Sequence, residues 1–170
     1  GDLVIENGSF DSNRAGDSGP GISHGGALVA ASPYGQSVTI NKSIFTNNSA
    51  EDGGAISQTN NAHLVVANSI FMNNSATGAT TGSGGAIMNR GGTQFLVNNT
   101  IVYNSAVSSG KGVMAISGST TFATSNIIYN NDGEDLAASG GTLNVEASIF
   151  EVAGSGLTLV GDNFDLETFD

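Results

Sequence analysis

Glu151, Asp162 and Asp165 are the residues of this 170-residue chain whose type and spacing come nearest to chemistry. If Glu151 and Asp165 stand on adjacent strands, their carboxylates lie about 5 Å apart. That separation suits the acid and nucleophile of a retaining glycosidase, and it equally suits a shared Ca²⁺, an ion that takes six to eight oxygens. Asp162 would add one more oxygen to either arrangement, and a solvated acidic surface is the third reading of the same residues. Residues 132–170 carry nine acids and no base, so nothing there would hold an anionic sugar, and the chain has no Trp to serve as a sugar platform. His24 and His63, 39 residues apart, form no metal motif, and without cysteine there is neither a disulfide framework nor a thiolate site.

Any such site depends on elements that bring distant residues onto one surface, and the sequence repeats itself in a way that predicts them. SIFTNNSAEDGGAI, from Ser43, returns as SIFMNNSATGATTGSGGAI from Ser69. Taking the Phe as an anchor, apolar residues seven and five positions earlier recur in Leu3/Ile5/Phe10, Val38/Ile40/Phe45, Leu64/Val66/Phe71, Phe95/Val97/Val102, Thr121/Ala123/Ile128, Leu143/Val145/Phe150 and Leu157/Leu159/Phe164. A spacing of two is strand periodicity, and a helical repeat would show spacings of three and four. Strands too short to bury their own apolar face make a core only by stacking coil on coil. The expected fold is therefore all-β, a right-handed parallel β-helix of about seven irregular coils, with residues 1–170 as one domain. The anchors from Phe10 to Phe164 form its interior column.

Strand alternation then assigns the outer columns. One residue past the anchor come Asp11, Thr46, Met72, Tyr103, Tyr129, Glu151 and Asp165. This places Tyr103 over Tyr129 as a stacked pair and Glu151 beside Asp165. One residue before the anchor come Ile44, Ile70, Ile101, Ile127 and Ile149, an outward ladder of five isoleucines. Soluble monomers seldom leave such a strip bare, so it is covered by the chain's own loops, turned inward at a bend, or packed against a partner. The Asn residues after the anchor, Asn13, Asn48, Asn74 and Asn131, stack at a corner, and the paired glycines of GGAL and GGAI supply the backbone freedom for the next one.

FxxN, as Phe10/Asn13, Phe45/Asn48 and Phe71/Asn74, alternating with GGA(I/L), resembles the repeats of the polymorphic membrane protein family. The resemblance covers residues 1–87 well and 88–131 loosely, and reaches 132–170 only through strand spacing. It implies a surface-exposed, autotransporter-passenger-like β-helix with an adhesive role.

Charge narrows the partners further. The net charge is −11, with no acid between residues 53 and 131 and the acids gathered at both ends. Such a surface repels nucleic acid and anionic lipid, and no apolar run reaches the roughly 18 residues of a membrane-spanning helix. The expected function is a non-catalytic extracellular structural or adhesive module of a microbial surface. It would assemble side by side or end to end, or bind a host or cell-surface partner, and it requires no cofactor unless the acids bind Ca²⁺. A polysaccharide-acting lyase or hydrolase built on the C-terminal acids is the alternative.

Overall fold

The computed structural model describes residues 1–16, 23–80, 82–116 and 118–166. They form a right-handed parallel β-helix, as expected. Each coil opens with a strand of four or five residues, such as Ser37–Asn41 and His63–Ala67, and seven of these pair in parallel into a first sheet. A single residue of positive φ then bends the chain into a short strand, such as Ile44–Thr46 and Ile70–Met72, and seven of these form a second sheet. The third sheet has five strands, from Leu28–Ala31 to Leu136–Ser139.

The two corners explain much of the Asn content. Asn7, Lys42, Asn68, Asn98, Ser125, Ala147 and Gly161 turn the first corner, all with φ between 47° and 67°. Ser12, Asn47, Asn73, Tyr103 and Asn130 turn the second. Asn tolerates this left-handed conformation because its short amide bonds locally. The third corner uses glycine for another reason. A Cβ on Gly54 would stand 2.1 Å from the Gly85 carbonyl oxygen, and one on Gly85 would stand 2.0 Å from that of Lys111. Successive coils touch backbone to backbone at these glycines, where a side chain would not fit.

Inside, Phe10, Phe45 and Phe71 stack with ring centroids 4.7 Å apart, which is one coil spacing. The column continues through Ile101, Ile128 and Phe150, all fully buried. Ile101, not Val102, pairs with Phe71, so the fourth coil sits one residue earlier than the apolar pattern suggests. Its inner residues are Gln94 and Leu96, aligned with Leu64 and Val66, while Phe95 and Val97 face out. The buried Gln94 disguised the register. It is held by a polar network in which its Nε2 donates to Gln58 Oε1 at 3.3 Å and its Oε1 accepts from Thr121 Oγ1 at 3.3 Å.

The last coil is offset in the other direction. Leu159 aligns with Val145 as expected, but Phe164 aligns with Ile149 and Asp165 with Phe150. One additional residue in the turn at Gly161-Asp162 shifts a period-two strand by one, which rotates Phe164 outward.

Candidate functional site

Two side-chain ladders fix the coil register and hence every surface column. In the first, the backbone N–H and side-chain Nδ2 of each Asn donate to the Oδ1 of the Asn one coil on: Asn13 to Asn48, Asn48 to Asn74, Asn74 to Asn104 and Asn104 to Asn131, at 2.9–3.0 Å. In the second, the backbone N–H groups of Ser43, Ser69, Asn99, Asn126 and Ser148 donate to the side chains of Ser69, Asn99, Asn126, Ser148 and Asn163. Asn104, absent from the expected amide column, is a full member. Its spacing from Ile101 is FxxN-like, and that signal would have set the fourth coil correctly.

The amide ladder points one way along the axis and ends on a carboxylate. Asp135 Oδ1 accepts the Asn131 N–H and Nδ2–H at 3.2 and 2.7 Å, and its Oδ2 accepts the N–H groups of Glu151 and Val152 at 2.7 and 3.1 Å. A group with acceptors only closes a chain of donors without leaving one orphaned. Burial pushes the Asp135 carboxyl above its ordinary range, against these hydrogen bonds, which favour its charge.

Given this register, the expected outer columns divide. Ile44, Ile70, Ile127 and Ile149 face outward in one column, 38–46% exposed. Ile101 does not; it is fully buried in the anchor column, and Thr100 takes its place in the ladder. Phe164 extends the column by one coil. Beside it, on the first sheet, Phe95 and Phe122 stack face to face with centroids 5.2 Å apart, next to the exposed Val97. Together they make an apolar face whose middle coils, within residues 53–131, carry no acid, while Glu146 follows Val97 and Thr124 in the column beside it.

Tyr103 does not lie over Tyr129. Val102 pairs with Tyr129, and Tyr103 occupies the left-handed corner position, φ 58°, in line with Asn47, Asn73 and Asn130. Glu151 and Asp165 are also separated, because Asp165 aligns with Phe150 and not with Glu151, while Asp162 lies exposed in the inserted turn. The two-carboxylate column is thus undone by the same one-residue shift that turns Phe164 outward. Among the described residues no group of three or more His, Asp and Glu side chains is placed to hold a metal ion.

Glu151 sits elsewhere, in an open cleft of about 470 Å³ that Tyr103, Asn130 and Asp132 also line. His24 belongs to a separate polar cluster. It lies across a bridge from the fully buried Asp52, with Nδ1 3.9 Å from Oδ2. Asp52 accepts the Ser83 N–H at 3.1 Å and pairs with the Arg90 guanidinium. Burial, and then the Arg90 charge, lower the His24 pKa. This cluster ties three coils together, and the third group at Asp52 is a guanidinium, not a nucleophile.

Comparison with curated proteins and with solved structures yields no match. The repeat of the Chlamydia polymorphic membrane proteins matches residues 42–59 and 68–90. Both segments run from the turn before an outward Ile, through the Phe stack and the Asn ladder, to the GGA corner and the third-sheet strand. Residues 42–59 and 68–90, two successive coils that each contribute to the ring stack, the amide ladder and the glycine corner, are thus similar to the Chlamydia polymorphic membrane protein repeat.

Proposed function

We propose that this β-helix is a non-catalytic, extracellular adhesive or assembly module, and that its contact surface is the apolar face centred on Ile70 and Ile127. The carrying observation is the column Ile44, Ile70, Ile127, Ile149 and Phe164, partly exposed, interrupted by Thr100 on the fourth coil and flanked there by the Phe95–Phe122 stack. From Ile44 to Phe164 it runs about 24 Å at roughly 4.8 Å per coil. Exposed apolar surface of this extent marks a site of contact with another molecule. The repeat adds support, since it is that of surface proteins. The polysaccharide-acting alternative loses its basis, because it required Glu151 and Asp165 in one column.

The test is the double substitution Ile70→Asp/Ile127→Asp. Both side chains are more than two-fifths exposed, so each should cost the fold no more than about 0.5 kcal/mol. Self-association in sedimentation velocity, and adhesion of chain-coated beads to epithelial cells, should both be lost if each uses this face. Should association and adhesion survive the double substitution in a folded chain, the face is not the contact surface. A parent chain that neither associates nor adheres removes the adhesive reading itself.

A further inference from the structure

The second corner of the helix is turned by Ser12, Asn47, Asn73, Tyr103 and Asn130, with φ between 53° and 58°. A bulky aromatic is a poor occupant of left-handed backbone, and costs of this kind persist where something else holds the residue in place. Tyr103 does not repay the cost by burial, since it is 54% exposed. It instead lines an open cleft of about 470 Å³ together with Asn130, Asp132 and Glu151, its N–H donating to the Asn130 carbonyl at 3.2 Å.

These neighbouring groups are tied to the backbone. Glu151 Oε2 accepts the Asn130 N–H at 3.2 Å, and the Asp132 N–H donates to the Asn104 carbonyl at 3.0 Å. Among the described residues no base lines the cleft. Lys111, whose side chain runs beside Gly133 at the edge of the cleft, donates from its ammonium to the carbonyl oxygens of Ala106, at 2.6 Å, and Ser108. The cleft thus offers one aromatic face and two carboxylates, with no cation to neutralise them. A neutral sugar would gain from the ring but nothing from the net charge, and an anion would be repelled. A planar cation gains from all three groups: it stacks on the ring and donates charge-assisted hydrogen bonds to the carboxylates.

We propose that the Tyr103–Asp132–Glu151 cleft is a binding site for an arginine side chain presented by a basic segment of a partner protein. The site is separate from the apolar face, lying around the corner from it. The chain's net charge of −11 steers such a segment toward the protein.

The experiment uses the full chain, with a blocked tetra-arginine peptide and maltotetraose as probes, followed by calorimetry and by chemical-shift changes at Tyr103. The variants are Tyr103→Asn, which installs the residue that turns this corner in three other coils, and Glu151→Gln. The peptide should bind saturably, and each variant should weaken it by about tenfold or more. Tyr103→Asn should leave the thermal midpoint unchanged or raise it, because the corner regains an amide suited to its backbone; a role in stability alone would lower it. Maltotetraose should not bind. The proposal is overturned if the peptide fails to saturate, or if both variants bind it as the parent does, which would mean diffuse attraction to the acidic surface. Saturable, Tyr103-dependent binding of maltotetraose without the peptide would also overturn it and make the cleft a glycan site.

Discussion

Residues 42–90 and residues 132–166 belong to the same stack of coils but are held in it by different contacts. In the first region Phe45 lies on Phe71 at 4.7 Å, Asn48 donates to Asn74 at 2.9 Å, and Gly54 meets the Gly85 carbonyl without a Cβ between them. In the second, Asp165 falls opposite Phe150, the amide ladder stops at Asp135, and Leu159 and Phe164 are half exposed. The difference shows that each ladder depends on register. One extra residue at Gly161-Asp162 leaves the backbone pairing of Leu157–Val160 intact, yet it reverses the faces of everything after the turn. It also shows that a directional chain of amides requires an end, and that a carboxylate with four N–H donors around it supplies one.

The largest expected contrast is between two phenylalanines. Phe71→Ala should cost about 3–5 kcal/mol, since the coils above and below hold the cavity open. Phe164→Ala, at a half-exposed position, should cost about 0.5 kcal/mol or less. Denaturant midpoints with a common m-value measure both, and similar losses would show that the last coil is packed as tightly as the middle ones.

Within the amide ladder, Asn74→Ala removes the Oδ1 that accepts two hydrogen bonds from Asn48 and the Nδ2 that donates to Phe45 O and Asn104 Oδ1. Buried groups left unpaired cost roughly 1–3 kcal/mol each, so a total of about 2–4 kcal/mol is expected. Asn13→Ala, at the solvated start of the ladder, should cost about 0.5 kcal/mol. Hydrogen exchange sharpens the contrast: the Asn48 amide should lose protection in the first variant and keep it in the second.

The smallest effect separates the ladder's end from its middle by pH. The Asp135 carboxyl is raised above its ordinary 3.8 by burial, so the folded chain binds that proton more tightly than the unfolded chain does. Its contribution to stability is present in full below about 3.8 and is lost as pH rises through the raised folded value. Asp135→Asn should abolish this part of the pH dependence while costing about 1–3 kcal/mol at neutral pH, since an amide cannot accept from all four donors. Thermal midpoints of parent and variant from pH 3 to 7 give the difference; parallel curves would mean that the four N–H groups outweigh burial and keep Asp135 ionised.

The repeat alone determined the architecture. Apolar residues two apart, returning with FxxN and GGA, admit parallel coils and little else, because stacked strands are the one arrangement that buries such short segments. The Phe stack, the amide corner and the outward Ile column of coils two, three, five and six follow from strand alternation once the anchors are correct. Tertiary structure decided the rest at two places where alternation has two solutions. In TQFLVNNTIVYNSA either Val97 or Leu96 can face inward by hydropathy alone; the choice falls to Leu96 because Asn99 and Asn104 must meet the ladders, and Gln94 accepts burial only with Gln58 and Thr121 beside it. In LTLVGDNFD the turn length is invisible until Asn163 receives the Ser148 N–H and fixes Phe164 outside. The cleft of Tyr103, Asp132 and Glu151 belongs wholly to the fold. Its members come from three coils, and no local pattern brings an aromatic at a left-handed corner against two carboxylates 29 and 48 residues further on.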